Sequence, residues 1–129
     1  MALLVLDASV VIALLDLRDA NHARAFAWFE SSRGGDMVIP ASAFAEVLVV
    51  PHRAGGHAVD EFERNLADVP VRVEPVTADI ARRAAALRAR HSALRLGDAL
   101  VLATAELLGA TVLTADRAWP KYSTRVRIL

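Results

Sequence analysis

Short apolar runs alternate with longer segments of helical period along this chain, and this alternation constrains its fold more than any other feature. Residues 3–6 and 37–39 contain no polar side chain, which is typical of strands buried on both faces of a sheet. Residues 111–113 and 126–129 predict two further strands, and at 71–74 valine alternates with charged residues, as in an edge or half-exposed strand. Strands that alternate with helices predict an α/β fold with a mostly parallel sheet and helices on both faces.

The segments between these strands predict helices, because apolar residues such as Ile80, Ala84 and Leu87 recur there at helical spacing. Ser9 is placed to cap the first helix and Gly109 to end the last one. The second helix is expected to end at Arg33-Gly34-Gly35, where glycine allows positive φ. The expected helices cover residues 10–17, 20–31, a segment opened by Pro40 and Ser42 that stops near Pro51 and the Gly55-Gly56 pair, 59–69, 77–91 and 98–108.

Length and composition favour a single domain. The chain has 129 residues, 55% of them hydrophobic, which is enough for one well-buried core and too few for two ordinary domains, so we expect one domain over residues 1–129. The absence of cysteine excludes a disulfide framework and a thiolate metal site. The apolar N-terminus lacks a basic region and is interrupted by Asp7, and no stretch approaches the roughly 18–20 apolar residues of a membrane span. These features predict a cytoplasmic protein that does not enter a membrane.

Four carboxylates stand where a parallel sheet would bring them together. Asp7 and Asp116 each follow a predicted strand, and Glu46 and Asp98 each lie near a helix start, whereas ligands of open α/β sheets bind outside the carboxyl ends of the strands. Clustered carboxylates repel, since two unit charges at about 4 Å interact by roughly 4 kcal/mol at an effective dielectric near 20. A bound cation removes this repulsion, and oxygen-only ligation suits Mg²⁺ or Mn²⁺. The set therefore predicts a divalent metal site.

The four acidic segments, in this order and in a chain of this length, resemble the PIN-domain ribonucleases, and most closely the VapC toxins of bacterial toxin–antitoxin pairs. The resemblance covers essentially the whole chain. It implies a PIN-like three-layer fold in which the four acids hold Mg²⁺ or Mn²⁺ for RNA cleavage. The segments are LLVLDASVV around Asp7, PASAFAEVL around Glu46, RLGDALVLATA around Asp98 and TVLTADRAW around Asp116.

Further roles and partners are implied by the same resemblance. Ser9 and Thr114 match positions where a hydroxyl supports the acidic site. The implied reaction is in-line attack on phosphorus by metal-activated water, with one or two metal ions. The implied partners are an RNA substrate, a cognate VapB-like antitoxin that covers the acidic pocket with an arginine, and a second copy of the chain in a homodimer. The sequence departs from the family pattern at two positions. Gly97 replaces the proline that many relatives have before the third acid, which is expected to loosen the start of the helix that carries Asp98. Ala118 replaces a further Asp of many relatives, so a second metal ion would have few ligands.

Other function classes fit the residues less well. A phosphoacceptor signalling domain needs paired acids near the first strand and a late lysine, but Asp7 has no acidic neighbour and Lys121 lies beyond the Asp116 segment. A haloacid-type phosphatase needs a second Asp at the position of Ser9. A PIN-like RNA- or protein-binding module without activity, or a housekeeping nuclease, remains the alternative to a toxin. Metal titration followed by a nuclease assay separates these cases.

The remaining charged and aromatic residues leave open questions. Net charge is zero, and 14 of the 15 cations are arginine. Five of the arginines fall in the segment that leads up to Asp98, and they fit either a solvated helix face or a surface that meets RNA or a partner. Glu106 is interpreted as structural, the four histidines show no metal-ligand spacing, and Trp28 and Trp119 are interpreted as core or interface residues. Phe26 and Phe29 would suit a partner contact if exposed. The five arginines are Arg82, Arg83, Arg88, Arg90 and Arg95.

Overall fold

A computed structural model describes residues 3–31 and 36–129, so the predicted helix end at Arg33-Gly34-Gly35 lies outside the described residues. In this part of the chain, five strands alternate with six α-helices and one short 3₁₀ helix. The strands are β1 (Leu4–Leu6), β2 (Met37–Pro40), β3 (Val71–Glu74), β4 (Thr111–Thr114) and β5 (Val126–Ile128). The helices are α1 (Ala8–Leu15), α2 (His22–Ser31), α3 (Ala41–Ala54), α4 (Gly56–Ala67), α5 (Ala78–Arg90) and α6 (Leu96–Leu108), and the 3₁₀ helix covers Trp119–Lys121.

The strands form one sheet in the order β3-β2-β1-β4-β5, and every pairing is parallel. Val5 pairs with Val38 on one side and with Val112 on the other. Right-handed crossovers that proceed from β1 to β3 place α1–α4 on one face, and those that return to β4 and β5 place α5 and α6 on the other. The predicted α/β fold with a parallel sheet is therefore confirmed. The chain changes direction between β1 and β4, and this switch point is where such sheets bind ligands.

The burial of each strand explains why the apolar patterns of the strands differ in the sequence. The central strands β1 and β2 are buried at every position, as expected from their uninterrupted apolar runs. At the edge of the sheet, Val73 in β3 is 41% exposed, in agreement with the predicted half-exposed strand. On α5, Ile80, Ala84 and Leu87 all face the core as predicted, and Trp119 is buried beside β5.

The helix ends agree with the prediction at Gly55 and Gly109, and they differ from it at the first helix. The first helix begins at Ala8, and its N-cap is Asp7 rather than Ser9, because the Asp7 carboxylate itself accepts a hydrogen bond from the Ala8 N–H. α3 continues past Pro51 for one more turn and ends at Gly55, which has φ of 121° and donates its N–H to the Pro51 carbonyl at 3.1 Å. Proline interrupts one hydrogen bond of a helix without having to end it. At Gly109 the expected end of α6 is confirmed, with φ of 63°.

None of the described helices has the length and apolar character required to cross a membrane.

Candidate functional site

The four predicted acids come from four different elements and lie around the carboxyl ends of β1 and β4. Asp7 directly follows β1, and Asp116 lies two residues beyond β4. Asp98 is in the first turn of α6, and Glu46 is in the second turn of α3. The structure thus places them at the switch point of the sheet, where the sequence predicts that they meet.

Asp7 is the most buried of the four, with 8% of its surface exposed, and it is held by three hydrogen bonds. Its Oδ1 accepts the Ala8 N–H at 2.8 Å, and its Oδ2 accepts the hydroxyls of Ser9 and Thr114, each at 2.9 Å. A buried carboxylate needs such donors because an unpaired charge in the interior is costly. The position of Asp7 is therefore fixed from the start of α1 and from the end of β4 at once.

The two hydroxyls also hold the segment that carries Asp116. The Thr114 Oγ accepts the Asp116 N–H at 3.1 Å, and the Ser9 Oγ accepts the Ala115 N–H at 3.3 Å. Asp116 itself is exposed, and its Oδ1 accepts the Ala118 N–H at 2.9 Å, so position 118 contributes its backbone rather than a side chain. Ser9 and Thr114 therefore contact the acidic site, and they do so by connecting the Asp7 carboxylate to the backbone of the segment that carries Asp116.

Asp98 and Glu46 approach the site from helix starts. The Asp98 Oδ2 lies 3.6 Å from the Arg95 Nε, and the Arg95 side chain is 83% exposed. The Glu46 carboxylate lies close to Gly97. A Cβ atom added to Gly97 would be 2.7 Å from the Glu46 Oε1. α6 begins at Leu96, one residue before Gly97, and the expected loosening of this helix start stays a prediction.

The acids influence one another electrostatically. Burial raises the pKa of Asp7, its three hydrogen bonds lower it, and the charge of Asp116 raises it further. Burial, Asp7 and Asp98 raise the pKa of Glu46, while Arg95 lowers it. The pKa of Asp98 is raised by burial and by the charges of Asp7 and Asp116, and Arg95 opposes this shift. Asp7, Glu46 and Asp98 therefore share one electrostatic environment that disfavours their negative charge, and the charge of Asp116 contributes to it at Asp7 and Asp98.

The donor set fits a hard cation, but the side chains do not form a closed cage around one. Among the described residues, no group of three or more His, Asp or Glu side chains is arranged so that it could hold a metal ion. Mg²⁺ does not require such a cage, since it keeps several waters and binds proteins through one or two carboxylates. The feature of this site that fits a divalent cation is its set of carboxylate oxygens, because their negative charges repel one another and a cation would neutralise them.

Two residues differ from their interpretation in the sequence. The apolar residues on both sides of Glu46 in the sequence predict that it avoids an exposed face, but Glu46 is exposed, as are Val49 and Val50 at 43% and 69%. Arg95, which the sequence places only within an arginine-rich segment, is paired with Asp98. Their i,i+3 spacing at a helix start is the signal that could have identified this pair.

Glu106 has the structural role expected of it. It forms an ion pair with Arg83, and thereby connects α6 to α5 away from the other acids.

Phe26 is 46% exposed on α2 and lies next to Phe29, with 6.1 Å between ring centroids, so the condition for a partner contact is met at Phe26.

The chain matches the family model described as the PIN domain over residues 4–124. No curated protein matches it.

Solved structures with the same fold include proteins of toxin–antitoxin complexes. A chain of a toxin–antitoxin complex from Klebsiella pneumoniae is 24% identical with a TM-score of 0.76, and the match covers 95% of this chain and 94% of that chain. VapC20 from Mycobacterium tuberculosis, described as a sarcin-ricin loop cleaving toxin, is 24% identical with a TM-score of 0.74 and coverage of 92% and 93%. A chain of DNA-bound VapBC from Salmonella typhimurium is 20% identical with a TM-score of 0.70 and coverage of 100% and 98%. At these identities the similarity shows the shared fold.

Proposed function

The chain belongs to the PIN domain family, and from this premise we propose that it is a Mg²⁺- or Mn²⁺-dependent endoribonuclease that acts as the toxin of a toxin–antitoxin pair. The observation that carries the proposal is the mutual electrostatic coupling of Asp7, Glu46, Asp98 and Asp116 at the switch point of the sheet. Neighbouring charges that raise the pKa values of Asp7, Glu46 and Asp98 are costly in a fold without a cation. Their convergence from four separate elements is expected if they serve a common ligand.

The proposed roles follow from how each carboxylate is held. Asp7, fixed by Ser9, Thr114 and the Ala8 N–H, serves as the rigid ligand. Asp98 and Asp116 flank it, and Glu46 reaches the site from α3. When bound, a divalent cation lowers the pKa of a coordinated water and stabilises charge on the scissile phosphate. The exposed Arg95 can leave Asp98 and contact a phosphate of the RNA, since guanidinium is well matched to phosphate.

The proposed protein partner is an antitoxin, and an apolar groove beside the acids supports this assignment. The groove has a volume of about 240 Å³ and is lined by Ile12, Leu15, Val47, Val50 and Phe62 together with Glu46. Val50 is 69% exposed, so the groove is open to an apolar segment of another chain. A cation carried by such a segment would lie next to the four acids. We further propose that the toxin forms a homodimer, which its mass in solution tests.

Metal titration and nuclease assays on single substitutions test the enzyme. We expect RNA cleavage that requires Mg²⁺ or Mn²⁺ and that is lost in Asp7→Asn, Asp98→Asn and Asp116→Asn, because Asn keeps the volume of the side chain and removes its charge. Glu46→Gln is expected to behave in the same way. Asp60→Asn on α4, an exposed acid outside the site, is the matched control and should cleave normally.

The decisive result is the behaviour of Asp7→Asn. Cleavage at the wild-type rate by a folded Asp7→Asn protein would show that Asp7 is not a metal ligand. A wild-type protein that binds RNA without cleaving it in either metal would instead identify a PIN-like binding module.

A further inference from the structure

A second site on the molecule lies in a cleft between α5, α6 and the segment 120–125. The cleft has a volume of about 590 Å³, which exceeds that of the apolar groove. Polar side chains dominate its walls. They are Arg83, Glu106, Lys121, Ser123, Thr124 and Arg125.

The cleft is built from parts of the chain that also carry the acids, because Glu106 lies on α6 together with Asp98, and residues 120–125 follow Asp116. The Tyr122 ring contacts the His91 ring, with 5.0 Å between the ring centroids, and His91 caps the C-terminus of α5 five residues before α6 begins. At the other end of this segment, the Arg125 guanidinium donates to the carbonyl of Ala110, which precedes β4. Between Asp98 and Glu106, α6 advances by about 12 Å at 1.5 Å per residue. That length corresponds to roughly three to four stacked nucleotides at about 3.4 Å each.

Two cations in the cleft are not neutralised by a carboxylate. Arg83 forms an ion pair with Glu106, so the positive charge of Arg83 is neutralised within the protein. Lys121 and Arg125 are both exposed, and neither forms an ion pair with any residue in the described part of the chain. The Lys121 Nζ lies 5.1 Å from the Tyr122 ring centroid, and Arg125 donates one long hydrogen bond of 3.5 Å to Ala110. Most of their donors therefore face solvent.

Hydroxyl groups add further donors to the same wall. The Ser123 Oγ accepts the Arg125 N–H at 3.1 Å, which leaves its own O–H free to donate outward. Thr124 is exposed next to it. Two free cations with neighbouring hydroxyls form a surface suited to phosphate oxygens.

We propose that this cleft binds the backbone phosphates of single-stranded RNA that extends from the cleavage site, with Lys121 and Arg125 as the principal contacts. The inference rests on the proposed ribonuclease activity. A positively charged groove that follows the backbone is how single strands are held without reading their sequence. The cleft therefore strengthens the binding of long RNA and leaves the reaction at the scissile bond unchanged.

The double variant Lys121→Gln/Arg125→Gln tests this assignment, in an Asp7→Asn background that prevents cleavage. The probe is a labelled 20-nucleotide single-stranded RNA, whose binding is measured at several salt concentrations. We expect weaker binding and a plot of log K against log salt that is shallower by about 1.4, from roughly 0.7 for each of two lost phosphate contacts. With Asp7 intact, the double variant should cleave a dinucleotide as the wild type does and should show a higher KM for the long RNA.

Arg24→Gln/Arg64→Gln is the matched control, since it removes two exposed arginines from α2 and α4. An unchanged salt slope in the double variant, with wild-type cleavage of RNA, would overturn the cleft assignment and leave the ribonuclease intact. Binding of an acidic protein partner that is lost while RNA binding matches the control would also overturn it. A wild-type protein that neither binds nor cleaves RNA would refute the proposed function, and the inference with it.

Discussion

Thr114 connects two of the acidic segments through one fully buried hydroxyl group. It donates to the Asp7 Oδ2 and accepts the Asp116 N–H, so both of its hydrogen-bonding functions are used inside the site. In the sequence, only the family resemblance indicates that the Thr114 hydroxyl supports the acidic site. The parallel register that sets Leu113 beside Leu6 is what brings it to Asp7.

Replacing Thr114 with valine should therefore disturb the site without changing its volume. Thr114→Val leaves the Asp116 N–H without its acceptor and removes one donor from Asp7, which costs about 1–3 kcal/mol of stability. Because that donor lowers the pKa of Asp7, its loss should raise this pKa and move the acidic limb of the cleavage profile to higher pH. Urea unfolding and a pH–rate profile measure the two effects. Thr111→Val, a partly buried threonine at the other end of β4, is the control and should leave the pH profile unchanged.

Gly97 gives the Glu46 carboxylate its space. A Cβ at this position would lie 2.7 Å from Oε1, the far end of a flexible side chain, so Gly97→Ala should move the carboxylate without unfolding the protein. Within a helix, alanine is more stable than glycine by about 0.5–1 kcal/mol, so the free energy of unfolding should stay equal or increase. We expect weaker Mg²⁺ binding by calorimetry together with an unchanged or higher Tm.

A double-mutant cycle separates this effect from a general change in α6. In a Glu46→Gln background, Gly97→Ala should have no further effect on Mg²⁺ affinity, because the displaced carboxylate is already gone. An equal loss of affinity in both backgrounds would mean that Gly97 acts independently of Glu46.

At the scale of elements, α5 presents its arginines to solvent and its apolar residues to the core. Arg82 pairs with Asp79 and Arg83 with Glu106, whereas Arg88 and Arg90 are exposed and form no ion pair with the described residues. The alternatives left open by the sequence therefore apply to Arg88 and Arg90. α5 packs mainly on α6, which carries Asp98, so these arginines lie on a helix adjoining the site.

Charge neutralisation distinguishes the two readings of α5. If Arg88 and Arg90 contact RNA, Arg88→Gln/Arg90→Gln should weaken RNA binding and reduce its salt slope by about 0.7 for each lost phosphate contact on a single strand. Arg82→Gln, on the same helix but already paired with Asp79, should change the slope less. An unaltered slope in the double variant would assign both arginines to ordinary solvated surface.

For the whole molecule, the acidic site should make stability depend on metal and pH. The pKa values of Asp7, Glu46 and Asp98 are raised by folding above their ordinary values of 3.8 for Asp and 4.5 for Glu. The folded protein therefore binds protons more tightly there, so these groups reduce stability as pH rises through the raised values. The penalty is absent below the ordinary values and fully present above the raised ones.

Thermal unfolding in chelator across pH 4–8 tests this prediction. Because other groups titrate as well, the informative quantity is the difference between wild type and Glu46→Gln, which should lose Tm less steeply as pH rises. Near neutral pH, saturating Mg²⁺ should raise the Tm of the wild type, by an amount corresponding to about 2.7 kcal/mol at one hundred times Kd. No increase at millimolar Mg²⁺, with no binding by calorimetry, would contradict the metal site.

Expression in growing cells tests the proposed biological role. A ribonuclease with Glu46 and Asp116 exposed at its acidic site should be toxic when produced alone and harmless with its antitoxin. Wild type and Asp7→Asn are compared from an inducible promoter at matched levels of soluble protein, and only the wild type should stop growth. Equal growth of the two strains would favour a housekeeping nuclease or a binding module.

The sequence by itself determined the order of strands and helices, because uninterrupted apolar runs and helical periodicity report the burial of each segment directly. It also identified the four acids, because an acid after a buried strand or at a helix start has a predictable place in a parallel sheet. Only the tertiary structure decided that Glu46 lies against Gly97 and that Lys121 and Arg125 line a cleft with α5 and α6. These contacts join segments that are far apart in the sequence. They depend on strand register, on side-chain rotamers and on the path of the crossovers, and the sequence separation of two residues does not report their distance in space.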